Sequence, residues 1–372
     1  MKKEVQLNPI NIIKIIATLC VFCLHTSLFS SQWGGFSFSS KNWLLQTPAW
    51  AAVWIFFFVS GYLNGGNFIG KEKKYQFSLK SIFDFYKKRL IKVILPTWLF
   101  IFVACLISQP EFIAQNPGVL IKILTLRYYN DPGCASIGAT WYVFVLAQLY
   151  ILTPIICFVI NWIIEKAGYM KEAIAKLGIV TLCVLGFVYR FYMLKTGAEW
   201  TQQVYVPVYS NCDIYISGIL LASVQKDREY NKTKYNFFIS IALVLFVVTI
   251  IVNSAVYYKG NFDSKYIIFY QYFFPSIYIF ILSIVLDMSC GWNICYKSHN
   301  IILKIIDKFT NISFEFYLVH SMVLYRISPY IKASTPNRYH LCLLGVAFVF
   351  SIILAIIFQN GHKEICSKFK NT

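Results

Sequence analysis

The sequence is short of charge. Charged residues make up 13% of its 372 positions, and only 16 positions hold aspartate or glutamate. So few charges cannot cover the surface of a soluble globule of this size. Also missing are an internal repeat, a low-complexity tract, a nucleotide-binding glycine pattern and any polar stretch long enough for a separate soluble domain. What remains is 58% hydrophobic and 18% aromatic, a composition that predicts an all-α polytopic membrane protein with one integral-membrane domain over 1–372. The eleven cysteines are odd in number and fall mostly in apolar runs (Cys20, Cys23, Cys105, Cys157, Cys183, Cys342). There they act as small hydrophobes, so neither a disulfide framework nor a metal site is predicted.

The net charge is +18, but it is spread over short loops, which points to membrane orientation and away from nucleic acid. Ten apolar runs approach the roughly 20 residues needed to cross a bilayer. They lie near 10–30, 47–64, 90–108, 141–160, 174–194, 206–224, 237–256, 266–288, 310–330 and 340–359. An even number places both termini on one side. Loops on that side carry 22 lysines and arginines, eight of them between Lys71 and Lys92, against eight on the other side. The asymmetry predicts cytoplasmic termini. The first run exceeds the 7–15 residues of a signal peptide's apolar core, so it is read as a span. Segment 109–140, with Pro110, Pro117, Gly118, Pro132 and Gly133, is predicted to be an external region of turns. The basic loop 65–88 is predicted to lie on the inner membrane surface.

Ionisable groups inside spans are costly and mark functional candidates. They are Lys14, His25, Arg190, Asp213, Asp287, Glu315, His320 and Arg326. Asp287 and Arg326 lie near span ends and can reach the interface. In KIIATLCVFCLH, residues 14–25, eleven helical steps return Lys14 and His25 to one face about 16 Å apart along the axis. Lys14 can snorkel toward the cytoplasm, whereas His25 lies too deep. A neutral imidazole there can serve as a general base or as a structural hydrogen-bonding group. In FFFVSGYL, residues 56–63, Ser60 and Gly61 allow close helix approach. YKKRLIKVILPTW, residues 86–98, sets Lys88, Arg89 and Lys92 at a cytoplasmic entrance. Topology alone explains such a cluster, yet Arg89 and Lys92 share a face and can grip phosphates. FEFYLVH gathers Glu315, Tyr317 and His320.

In this order, these stretches resemble the type-3 membrane acyltransferases, bacterial enzymes that acylate surface and exported glycans. Lys14 and His25 match the family's basic residue, ten residues, histidine pattern. FFFVSGYL resembles its Ser-Gly second span, and KKRLIKVILPTW its basic stretch leading to a proline. ATWYVFVLAQLYILTPII, with Trp141 and Tyr142, is similar to its Trp-aromatic span. NCDIYISGILLA, with Asp213, is similar to its sixth span, and SFEFYLVHSMVL to its late Tyr-Leu-x-His segment. Two departures stand out: Lys14 and Lys92 occupy places where arginine is usual, and lysine lacks the bidentate fork. No hydrolase-like domain follows the tenth span, so the stand-alone form is expected.

The resemblance implies a multi-pass protein of the bacterial cytoplasmic membrane that moves an acyl group, usually acetyl, from cytoplasmic acyl-CoA to a hydroxyl. The acceptor would be a cell-surface or lipid-linked polysaccharide such as O-antigen, capsule or exopolysaccharide. No cofactor is expected to be bound permanently. His25 and Lys14 are the expected catalytic residues: His25 deprotonates the acceptor, and Lys14 positions the donor or steadies charge on its carbonyl. Arg89, Lys92 and Lys88 are expected to hold acyl-CoA. Ser60, Trp141, Tyr142, Asp213, Glu315, Tyr317 and His320 are expected in support. A covalent acetyl-histidine is an alternative route, and the choice of Asp213 or Glu315 to orient an imidazole stays open. A transporter or flippase of lipid-linked sugars is the competing reading.

Overall fold

The computed structural model of the protein describes residues 5–32, 48–70, 73–108, 110–127, 135–225, 240–252, 265–288, 294–296, 301–327, 330 and 337–368. A helix stands at each of the ten predicted spans. After strand β1 (Val5–Leu7) come α1 (Pro9–Gln32), α2 (Pro48–Phe68), α3 (Leu79–Arg89), a π turn over Leu90–Ile94, and α4 (Leu95–Ser108). Then follow α5 (Glu111–Gln115), α6 (Pro117–Leu124), a 3-10 segment over Ala135–Thr140, α7 (Trp141–Ala167) and α8 (Lys171–Lys195). A short irregular stretch leads to α9 (Cys212–Val224) and α10 (Ser240–Val252). The last elements are α11 (Lys265–Met288), strand β2 (Ile294–Tyr296), α12 (Ile301–Ile327) and α13 (Asn337–Lys368). The three-residue strands pair antiparallel, Val5 opposite Tyr296. This is the one departure from helix pairing among the described residues, and it brings the start of the chain beside residues 294–296.

Five stretches are long and apolar enough to cross a membrane on length and composition: Pro9–Thr26, Leu79–Ser108, Ser136–Lys195, Gln271–Met288 and Cys342–Glu364. The third contains both α7 and α8. Three boundaries differ from expectation. Helix α2 runs past Asn64 to Phe68, so 65–68 belong to it and not to a loop. In the predicted turn region, Pro110 precedes one short helix and Pro117 begins another, because a proline at a helix start loses no hydrogen bond the helix would have made. Toward the sixth span, Pro207 delays the α-helix until Cys212.

Helix α3 leaves Leu79 and Phe83 exposed and ends on Lys87, Lys88 and Arg89, the pattern of a helix lying at a membrane surface. Pro96, just after the π turn, has no N–H for the carbonyl of Lys92. Widening the turn lets the chain pass that position without a break, so α3 continues into α4.

The centre of the bundle is α2 against α9, with α1 packed on α2 and α12 on α1. Here Gly61 and Gly218 interlock: a Cβ on Gly61 would collide with the carbonyl of Tyr215, and one on Gly218 with the carbonyl of Phe58. Small residues let these backbones touch, and in lipid such packing stands in for the hydrophobic drive that water supplies.

Arg190 on α8 and Asp213 on α9 form an ion pair at 2.7 Å, with side chains 3% and 9% exposed. Arg190 also donates to the Ser210 carbonyl at 3.3 Å, and Asp213 accepts from the Ile214 N–H at 2.9 Å. Gly186 makes the room, since a Cβ there would strike the Asp213 carboxylate. Asp213→Ala would leave the guanidinium buried and uncompensated, a loss of about 3–5 kcal/mol. The expected result is a lower unfolding midpoint of the purified protein in detergent. An unchanged midpoint would show that the ion pair does not support the fold.

Candidate active site

Two polar clusters lie among the described helices. The first is a pair of imidazoles. Nδ1 of His25, on α1, lies 2.7 Å from Nε2 of His320, on α12, across 295 residues of sequence. His320 is fully buried, and its own Nδ1 lies 3.2 Å from the carbonyl oxygen of Phe316, one helical turn earlier. The Phe316 ring lies nearly parallel to the His320 ring, at 7° and 6.0 Å between centroids. Phe22 packs beside both. Helix α12 is held in this register by two hydroxyls that donate to the 3-10 segment: Tyr317 to the Ala139 carbonyl, and Ser321 to the Ser136 carbonyl at 2.8 Å.

The second cluster gathers around Arg89. Its guanidinium lies between two rings, 5.2 Å from the Phe85 centroid and 4.9 Å from that of Tyr150. It donates to the Asn64 side-chain carbonyl. Asn64 in turn donates to the Tyr215 hydroxyl at 2.8 Å, which lies 2.7 Å from the Thr153 hydroxyl. The Arg89 Nε is buried with no hydrogen-bond partner among the described residues. Lys14, half-buried on α1, lies within electrostatic range of Arg89. Two cations set near each other with an amide as neighbour form a site that favours an anion.

Hydroxyl-bearing side chains connect the clusters. Ser60 lies within electrostatic reach of both Tyr150, under Arg89, and Tyr142. The Tyr142 ring lies 5.6 Å from that of Tyr317, which lies 5.8 Å from His320. The run therefore passes from Arg89 through Tyr150, Ser60, Tyr142 and Tyr317 to the imidazoles. Trp141 packs against Tyr142 and Tyr205, beside the imidazole end.

The expected site residues thus fall into groups. His25, His320, Tyr317, Tyr142, Ser60 and Trp141 are brought together. Lys14 lies with Arg89, about three helical turns along α1 from His25. Arg89 turns inward, while Lys88 and Lys92 are exposed and Lys88 lies over the Tyr75 ring at 5.0 Å. Asp213 and Glu315, considered as orienting groups, have other partners. Asp213 is held by Arg190, and Glu315 accepts from Gln359 on α13 at 3.4 Å. The atom that meets the second nitrogen of His320 is a backbone carbonyl. Asn64 and Tyr150 escaped the sequence reading. A signal for Asn64 existed, because it stands four residues after Ser60, on the same helical face, and is an amide within an apolar run.

A family model described as an acyltransferase domain matches residues 8–358. Neither a curated protein nor a solved structure matches the chain. Nearly the whole chain, including both polar clusters and all but the end of the last apolar stretch, lies within that match. The chain is a multi-pass membrane protein and belongs to the acyltransferase 3 family.

Proposed function

We propose that the protein is an O-acyltransferase that moves an acyl group, most simply acetyl, from cytoplasmic acyl-CoA to a hydroxyl of a cell-surface or lipid-linked polysaccharide. The observation that carries this reading is the run of hydroxyls joining a cationic pocket at Lys14 and Arg89 to the imidazole pair. Coenzyme A is anionic at its nucleotide end and carries a long neutral arm ending in the thioester. In this reading Arg89 and Lys14 hold the anionic end, with Lys88 and Lys92 drawing it in from the exposed side of α3. The arm then lies along Tyr150, Ser60 and Tyr142, whose hydroxyls suit its amides, and the thioester meets the imidazoles.

His25 acts as general base. It takes the proton of the acceptor hydroxyl as that oxygen bonds to the thioester carbon. The carbon–sulfur bond then breaks, and the proton passes from His25 to the departing thiolate. The position of Lys14 beside Arg89 supports its role in positioning the donor. The acceptor oxygen needs no metal in this scheme.

Membrane vesicles from cells with and without the gene, given radiolabelled acetyl-CoA, test the reading. Ester-linked label is expected in the glycan fraction only when the gene is present, and mass spectrometry of that fraction names the sugar. Movement of unmodified glycan across the vesicle membrane with no ester formed would point instead to a flippase.

A further inference from the structure

We infer that His320 is a positioning residue that sets the tautomer of His25, so that the basic lone pair of His25 resides on Nε2. The inference rests on the acyl-transfer reading and adds to it the group that orients the base.

A carbonyl oxygen can only accept, so the nitrogen 3.2 Å from the Phe316 oxygen, Nδ1 of His320, must carry hydrogen. A neutral imidazole has one N–H, and Nε2 of His320 is therefore an acceptor. That acceptor lies 2.7 Å from Nδ1 of His25, a distance that requires a hydrogen between them. His25 supplies it and is consequently the Nδ1–H tautomer, with its lone pair on Nε2. The opposite assignment would set lone pair against lone pair at the fully buried ring of His320, a costly arrangement where no water can intervene.

The arrangement also follows the proton. When His25 takes the acceptor's proton on Nε2, it becomes an imidazolium whose Nδ1–H bond to His320 is charge-assisted and stronger than before. His320 thus does what a carboxylate does in a Ser-His-Asp triad, where the acid holds the tautomer and steadies the imidazolium. It does so without a permanent negative charge, which a segment of this apolarity accommodates poorly. Stacking on Phe316 and the ties of Tyr317 and Ser321 to the 3-10 segment keep the ring in place.

Two variants of the full-length protein, assayed in vesicles with radiolabelled acetyl-CoA and their native glycan, test this. His320→Gln places an amide oxygen near the position of Nε2 and can accept from His25. His320→Met fills a similar volume and offers only a weak acceptor. The glutamine variant is expected to keep transfer within about tenfold of wild type and the methionine variant to lose roughly a hundredfold or more in kcat. KM for acetyl-CoA should hold in both, because Arg89 and Lys14 are untouched. Equal activity of His320→Met and wild type would overturn the inference. Equal failure of both variants at normal membrane levels would do the same. A second measurement uses wild type alone: ring 15N shifts should show His25 protonated at Nδ1, and protonation at Nε2 would refute the assignment. Absence of transfer by wild type would sink the acyl-transfer reading itself, an outcome distinct from transfer by wild type that His320→Met leaves intact.

Discussion

His25→Ala is expected to reduce kcat by about 10²–10⁴, the usual worth of a positioned general base. KM for acyl-CoA should remain nearly constant, because the proposed reading holds the donor's anionic end at Arg89 and Lys14, about three helical turns away along α1. The half-buried His25 ring leaves no large void when truncated, and α1 keeps its contacts to α2 and α12. The protein should therefore reach the membrane at normal levels, and quantitative blotting of membranes beside the label assay checks both halves of the expectation. Full transfer by this variant would remove the histidine from the mechanism. An acetyl-histidine intermediate predicts a further sign in wild type, a burst of free CoA before any acceptor is added. Direct attack predicts none.

Arg89→Ala should act on the other parameter. Hydrogen bonds to charged groups are worth about 1.5–3 kcal/mol, so loss of the guanidinium should raise KM for acyl-CoA roughly ten- to a hundredfold while kcat at saturation changes little. Arg89→Lys is expected to recover only part of this. The ammonium keeps the charge but cannot lie flat between Phe85 and Tyr150 while donating to Asn64. Asn64→Leu should resemble a mild form of Arg89→Ala, since it frees the guanidinium from its inward anchor. Initial rates over a range of acetyl-CoA concentrations decide the matter. A fall in kcat with constant KM would place Arg89 at the reacting carbonyl instead of at the donor's anionic end.

Much of this was readable from residue order. Runs of apolar side chains mark where helices stand, five described stretches being long and apolar enough to cross a bilayer, and the eleven-residue interval from Lys14 to His25 puts both on one face of α1. The inward turn of Arg89 was only half readable. Sequence shows a basic cluster before Pro96, but the choice among Lys88, Arg89 and Lys92 depends on how the π turn at Leu90–Ile94 rotates the chain. The partner of His25 was less accessible still, being 295 residues away. Helical angles would have helped with Glu315: five residues from His320, it stands about 140° around the helix and so faces α13. The group that meets the second nitrogen of His320 was hidden for a different reason. It is the main-chain oxygen of Phe316, and every residue carries such an oxygen, so no residue type announces it.

The interlock of Gly61 with Tyr215 and of Gly218 with Phe58 bears on how substrates reach one another. Backbones that touch cannot slide or roll without collision, so α2 and α9 behave as one stiff plate. Ser60 and Asn64 are fixtures on that plate. A rocking motion of the kind that carries cargo through a transporter would have to leave this seam intact. Substrates that pass through the bundle accordingly move against a standing mould.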